Sequence, residues 1–311
     1  MSIEVLQLHA LMDAFDRALQ ARFTVRRGLT AAECEAAIAA HAAAIRAVVS
    51  SSRLGVSNEL ISRLPALELI ALHGAGYDRV DLDYARRRGV RVTHTPAVAS
   101  DDVADLTIGL VIALLRRIPQ LDRLVRSGLW PQTEVPLGVK VSSQRFGIFG
   151  LGRIGRAVAR RLEGFGAAIG YTDLQRQDVP YSWYPTVEAL AVASDVLILS
   201  APASRSTERI VGANVIDALG PRGILVNVAQ GSLVDEAALL TALGEGRLGG
   251  AALDTLAGEP RVPEALLGMQ NVVLTPHVAT ATVEARWAMS ELVLANLTAH
   301  FGGEPLPAPV T

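Results

Sequence analysis

The sequence predicts an α/β protein of two doubly wound parallel-sheet domains, and three observations lead there. The chain has 311 residues, more than one ordinary core needs and enough for two. Its first hundred residues alternate short apolar runs with amphipathic ones, the rhythm of strand–helix units feeding a parallel sheet. After one interruption the alternation resumes and runs almost to the C-terminus.

Taken in order, Ile3 to Leu8, Ala44 to Val49 and Leu67 to Leu72 read as buried strands, with helices over Ala31 to Ala42 and Asp81 to Arg88. Thr95-Pro96-Ala97 breaks the pattern. Ser100 or Asp101 then offers an N-cap for one long apolar-rich helix from about Asp102 to Val125, which places a domain boundary and hinge near residue 99. A loop rich in Gly and Pro, Gly128 to Gly138, precedes new strands at Phe146, Ala168, Val196, Ile224, Ala251 and Val272. The last amphipathic run, Thr280 to His300, is long. If it crosses back to the first domain, residues 99–279 form an insertion within a discontinuous partner made of 1–98 and 280–311.

Composition removes several function classes. Half of the residues are hydrophobic, yet the longest apolar stretches, such as Ile108 to Leu115, fall far short of the roughly 20 residues that cross a bilayer, so no membrane partner is expected. Glu4 stands where a secretory signal would carry basic residues, so a cytoplasmic location is expected. The formal net charge is −2, and arginines are scattered among acids, which argues against a nucleic-acid partner. Cys34 is the only cysteine, so neither an internal disulfide nor a multi-thiolate metal site forms, and no metal is expected. Lys140 is the only lysine, which disfavours Schiff-base chemistry.

Gly150-Leu-Gly152-Arg-Ile-Gly155 directly follows the apolar strand Phe146 to Phe149 and opens a helix over Arg153 to Glu163. Gly150 permits the turn, Gly152 lets the backbone, continuing through Arg153 and Ile154, approach a pyrophosphate at the helix N-terminus, and Gly155 allows close helix packing. The next strand, Ala168 to Thr172, ends in Asp173, near the ~20-residue offset at which an acid receives the adenosine ribose hydroxyls. The bland alternative is a packed strand–helix–strand unit with a surface aspartate. A carboxylate at 173 repels a 2′-phosphate, which favours NAD over NADP, although Arg176 offsets part of that repulsion.

Polar residues follow three later strands, where a doubly wound sheet places its ligands: Asn227-Val-Ala-Gln-Gly231, Asp254 to Pro260, and Thr275-Pro-His277. With these segments the chain resembles the D-isomer-specific 2-hydroxyacid dehydrogenases, particularly the glyoxylate, hydroxypyruvate and hydroxyphenylpyruvate reductase branch. The resemblance rests on GAGYDRVDL (74–82), RVTHTPAVASDDVADLTIGL (91–110), FGIFGLGRIGRAVARRL (146–162), NVAQGSLVDEAAL (227–239), AALDTLAGEP (251–260) and VVLTPH (272–277), in that order.

The resemblance implies a Rossmann cofactor domain inserted in a flavodoxin-like substrate domain, NAD bound between the two, and a homodimer. It implies that His277 protonates the carbonyl oxygen of a small 2-oxo acid as hydride arrives from the nicotinamide. Glu259, bonded to the histidine, would keep it charged near neutral pH. Taken alone, His277 could instead cap a backbone group and Glu259 could be a solvated turn acid. The resemblance further assigns the backbone amides of Ala75 and Gly76 to the substrate carboxylate. Asp254 goes to the nicotinamide carboxamide, and Thr107, Pro202, Val228 and Ala229 to the cofactor's surroundings. Thr107, Pro202 and Asp254 could equally be caps or packing residues.

One position departs from the pattern. The family carries an arginine where this chain has Gln230, a bidentate cation that binds the 2-oxo acid and polarises its carbonyl. Gln230 offers one neutral amide donor, or a cap for the next helix. Losing such a charge, with nothing in its place, costs on the order of 10²–10³ in turnover. Three explanations therefore compete: a 2-hydroxyacid dehydrogenase altered in activity or specificity at its clamp, a member that uses another nearby arginine, and a catalytically weak or inactive NAD-binding sensor or interaction protein.

Overall fold

In the computed structural model, which describes residues 3–310, the three early apolar runs become the central strands of a five-stranded parallel sheet. Its strands are β1 (Glu4–Gln7), β2 (Thr24–Arg27), β3 (Ile45–Ser51), β4 (Leu69–His73) and β5 (Arg91–Thr93), in the order β2-β1-β3-β4-β5. That is the flavodoxin-like order. The short edge strands escape a reading by apolar runs. β2 reads TVRR, and its Arg26 is spent on a bidentate pair with Glu4 of β1 at 2.8 and 3.0 Å.

Helices α1 (Asp13–Arg22), α2 (Ala31–His41), α3 (Asn58–Arg63) and α4 (Leu82–Arg87) connect these strands. Their starts follow side-chain chemistry: Thr30 and Glu33 form a reciprocal capping box, while Ser57 and Asp81 accept from the third following amide. Alternate strand residues are buried on opposite faces of the sheet. Leu6, Val48, Ile70 and Leu72 meet Ile38, Ile61, Leu64 and Ala85 of α2 to α4 and their flanks. Val5, Ala47, Val49, Leu69 and Ala71 meet Phe15 and Leu19 of α1, together with Val293, Leu294 and Leu297 of the C-terminal helix Val283–Gly302. The last helix thus belongs to the first sheet, and one compact unit comprises Met1–Ala99 and Ala281–Thr311.

The second unit, Ser100–Thr280, opens with α5 (Ser100–Leu115) and α6 (Ile118–Arg126). A single helix is expected there, and the structure divides it at Arg117, whose φ of 54° is left-handed. Pro119 explains the break: it has no N–H to give, and its ring clashes with a carbonyl four residues earlier, so it is tolerated only in a first turn. The freed Leu115 carbonyl accepts from Val139 N–H at 2.8 Å.

Seven parallel strands follow: β6 (Arg145–Phe149), β7 (Ala168–Thr172), β8 (Ser182–Trp183), β9 (Val196–Leu199), β10 (Ile224–Asn227), β11 (Gly250–Leu253) and β12 (Val272–Leu274). Their order is β12-β11-β10-β9-β6-β7-β8, the Rossmann arrangement extended by one strand. Helices α7 (Arg153–Glu163), α8 (Val187–Val192), α9 (Ala213–Leu219), α10 (Glu236–Gly244) and α11 (Glu264–Gly268) complete the unit, which makes the C-terminal helix α12. Phe146, Ile148, Val196, Ile198 and Val226 face α5 and α7, while Leu197, Leu199, Leu225 and Leu253 face α8 to α11. The chain reverses direction across the sheet between β6 and β9, so the C-terminal ends of those strands frame a crevice. No helix among the described residues is long and apolar enough to cross a membrane.

Because Leu297 is fully buried against the first sheet, Leu297→Ala should cost about 2–5 kcal/mol of stability, measured by urea denaturation. A cost below about 1 kcal/mol would show that α12 only rests on a sheet that is complete without it.

Candidate active site

The turn after β6 is built so that only glycine fits at two of its corners. Gly150 has φ +90°, and a Cβ there would lie 2.6 Å from the Ala201 Cα; at Gly155 it would lie 2.2 Å from the Gly150 carbonyl oxygen. Gly152 differs, since nothing stands within 4 Å of where its Cβ would be. Open space thus faces the start of α7, and the amides of Gly152, Arg153 and Ile154 donate to no group among the described residues. Free N–H groups, room and the positive end of a helix dipole are what a pyrophosphate requires, so these residues fit a dinucleotide.

Asp173, half-buried at the end of β7, closes the turn. Its carboxylate accepts from the amides of Leu151 and Leu174, both at 2.8 Å, and from Gln177 Nε2 at 2.9 Å. Gln177 is in turn held by the Tyr171 hydroxyl, and Ser200 Oγ donates to the Gly150 carbonyl at 2.7 Å. Neither Gln177 nor Ser200 stands out in the sequence, because each acts through a loop contact that no periodicity marks.

A second cluster leaves the adjacent ends of β10, β11 and β12. The register pairs Asn227 with Leu253 and Leu253 with Leu274, so the loops beginning at 228, 254 and 275 rise side by side. His277 Nδ1 lies 2.7 Å from Glu259 Oε2, and Glu259 Oε1 accepts from the Leu256 amide at 2.9 Å. The carboxylate therefore fixes the ring nitrogen it faces as the N–H donor. Both side chains keep about a quarter of their surface exposed, 27% and 25%. The other ring nitrogen, Nε2, has no partner among the described residues and is the atom available to a substrate.

Asp254 sits beneath this pair, 1% exposed. Its Oδ1 accepts from Thr275 Oγ1 at 2.6 Å and Val278 N–H at 2.9 Å, and Oδ2 from Ala279 N–H at 3.0 Å. Its backbone carbonyl takes the His277 amide at 2.9 Å. His277 has a left-handed φ of 55°, a conformation that costs a non-glycine residue about 1 kcal/mol or more and persists only where its surroundings hold it. Asp254 and Thr275 do that holding. The resemblance assigns Asp254 to the cofactor; within the protein its carboxylate holds the segment 275–279.

Gln230 is half-buried at the end of the β10 loop. The cap expected of it is absent: its side chain makes no bond to the short helical turn Gly231–Leu233 that follows. Its extended backbone, φ −140° and ψ 140°, is instead positioned by the buried Asn227, whose Nδ2 donates to the Gln230 carbonyl at 2.9 Å while its Oδ1 takes the Ala229 amide at 3.0 Å. Ala229 N–H is thereby spent, and Val228 is 6% exposed in the core. Thr107 is fully buried, with its hydroxyl donated to the Val103 carbonyl at 2.7 Å. Pro202 is exposed after β9, its carbonyl accepting from Thr207 Oγ1 at 3.0 Å.

Ala75 and Gly76 lie in the first unit, in the loop after β4. The Ala75 carbonyl takes the His94 Nδ1–H at 2.8 Å, and the Gly74 amide donates to Thr95 Oγ1 at 2.8 Å. The next two amides, of Ala75 and Gly76, have no partner among the described residues and form a pair of adjacent free donors.

The same fold and motifs recur in characterised proteins. Over 310 residues, 99% of both chains, the sequence is 47% identical to glyoxylate/hydroxypyruvate reductase A of Arabidopsis thaliana. Among solved structures, a 2-hydroxyacid dehydrogenase from Ketogulonicigenium vulgare superposes with a TM-score of 0.93 at 43% identity, covering 100% of this chain and 99% of the other. An NADPH-dependent glyoxylate/hydroxypyruvate reductase from Sinorhizobium meliloti gives 0.91 at 40%, covering 100% and 97%. Residues 108–279 match the model of the NAD binding domain of D-isomer specific 2-hydroxyacid dehydrogenases, and with these full-length relatives the chain belongs to that family.

Proposed function

We propose that the chain reduces a small 2-oxo acid to the 2-hydroxy acid with a nicotinamide dinucleotide, and that His277 is its proton donor. The observation that carries the assignment is the His277 Nδ1 to Glu259 contact at 2.7 Å with Nε2 left unbonded. A carboxylate on one side of an imidazole fixes that nitrogen as the donor and orients the ring, which aims the opposite nitrogen at a developing alkoxide. The bound dinucleotide supplies the hydride. The chain's own part is to seat the pyrophosphate on the amides of Gly152, Arg153 and Ile154, to hold the substrate carboxylate on those of Ala75 and Gly76, and to deliver a proton from His277.

We assign NAD as the preferred cofactor, since the Asp173 carboxylate at the end of β7 repels a 2′-phosphate. The exposed Arg153 and Arg176 work against that preference, as does the NADPH dependence of the Sinorhizobium meliloti relative. A cytoplasmic homodimer belongs to the same proposal. The apolar side chains of Ile118, Val125, Leu129, Trp130 and Leu137, all at least 49% exposed over one stretch of the second unit, support an association surface. Gln230 favours a second reading, an NAD-binding protein that turns over little, because a neutral amide stands where the family polarises the carbonyl with a cation.

NADH oxidation with glyoxylate, hydroxypyruvate and phenylpyruvate separates the readings. His277→Asn should lower kcat by about 10²–10⁴ and Glu259→Gln by a smaller factor, while Gln230→Arg should raise kcat by an order of magnitude or more. NADH binding without turnover of any of the three acids, unchanged by Gln230→Arg, would establish the non-catalytic reading. Asp173→Ala should weaken NADH more than NADPH in fluorescence titrations; equal weakening of both would assign Asp173 to bracing the Leu151 amide alone.

A further inference from the structure

Positive charge gathers at the C-terminal end of the first sheet, on Arg286 and Arg53. Arg286, one turn into α12, is half-buried, and neither it nor Arg53, in the loop after β3, forms an ion pair among the described residues. Burial holds the Arg286 guanidinium below its ordinary range, and the charge of Arg53 lowers it further. A partly desolvated cation beside a second cation is costly, and the usual remedy is an anion that both can reach.

His73, at the end of β4 and 3% exposed, holds Arg286 in place. The ring's Nδ1 lies 3.5 Å from Arg286 Nη1 and its Nε2 lies 3.4 Å from Ser290 Oγ, whose own proton goes to the Arg286 carbonyl at 2.7 Å. A guanidinium only donates, so His73 Nδ1 accepts and the imidazole is neutral. Burial, with His9 and Arg286 close by, pushes His73 down to about 4, in keeping with that form. His9, just after β1, packs its ring 5.0 Å from that of His73. Asp16, close to His9, is engaged by Gln7 Nε2 at 2.7 Å and the Leu11 amide at 3.0 Å, and Asp78 Oδ1 lies 3.0 Å from where a Cβ on Gly76 would stand. Immediately after His73 come Gly74 and the free amides of Ala75 and Gly76.

We propose that Arg286, reinforced by Arg53, binds the carboxylate of the 2-oxo acid together with the amides of Ala75 and Gly76, all of them groups of the first unit. This rests on the 2-oxo acid reductase reading and adds the residue that holds the substrate's charge. His73 is a positioning residue: it offers Arg286 a neutral acceptor, which orients the guanidinium without discharging it. The carboxylate is then gripped by a cation while the carbonyl is not, so binding and chemistry depend on different arginine positions.

The test measures NADH oxidation with glyoxylate alongside calorimetric titration of the NADH-loaded protein with oxamate, a 2-oxo acid mimic that is not reduced. Arg286→Gln should raise KM for glyoxylate and Kd for oxamate by about 10–100-fold, with kcat moving by less than about threefold. Arg53→Gln, at an exposed site, should shift both by about 2–5-fold in the same direction. Arg286→Lys should recover part of the oxamate affinity, a recovery that a purely structural role for Arg286 does not produce. An oxamate Kd within about twofold of the parent in Arg286→Gln, or a loss confined to kcat, overturns the proposal. If Arg286→Gln does not fold, an unchanged oxamate Kd in Arg53→Gln overturns it. If no 2-oxo acid is turned over, the reductase reading fails separately, and the titration still decides: weaker oxamate binding in the variants sustains the anion site, and no oxamate binding to the parent removes it.

Discussion

The buried carboxylate of Asp254 is the interaction on which the His277 end of the second unit depends. It carries no exposed surface to speak of, yet it gathers a hydroxyl and two amides from the segment 275–279 and takes the His277 amide on its own carbonyl. Burying such a group is expensive unless its lone pairs are satisfied, and here the loop after β12 satisfies them. The exchange is mutual. The loop closes around the acid, and the acid holds His277 in a backbone conformation that a histidine does not choose for itself, which aims the ring at Glu259.

Such precision is possible because both sheets are parallel and covered on both faces, so every strand ends at the same edge of its sheet and functional loops emerge there together. This logic also explains what could be read in advance. Central strands such as Leu69 to Leu72 or Val196 to Leu199 are unbroken apolar runs because both faces are buried, and runs of that kind are visible in sequence. Edge strands are not: β2 is half arginine and β8 is two residues long. The division of α5 from α6 hangs on Pro119 alone, and a periodicity that continues across a proline conceals it.

At the site, residues whose type is tied to a function were legible, and residues that only hold others were not. Gly150 and Gly155 follow from motif and spacing, Glu259 and His277 from the family resemblance. Asn227, Ser200, Gln177 and Thr275 do their work through hydrogen bonds to loop groups, and a polar residue at a strand end looks the same whether it braces a turn or faces water. Asp254 lies between these groups: its position near the chemistry was visible, its task was not. Position 230 was conspicuous because a motif otherwise intact names the residue that should stand there. Arg286 and Arg53 were invisible for the opposite reason, since they are far apart in sequence and become a cluster only when α12 is laid against the first sheet.

The return of α12 also sets an order of assembly. Every strand and helix of the second unit lies between Ser100 and Thr280, so its two cores are complete once that segment has left the ribosome. The first sheet is made earlier but finished later: Val5, Ala47, Val49 and Leu69 have no cover from Val293, Leu294 and Leu297 until the last residues emerge. A chain made from one end to the other therefore holds a half-covered sheet at its front while the insertion folds, and that face is the surface most open to wrong partners during synthesis.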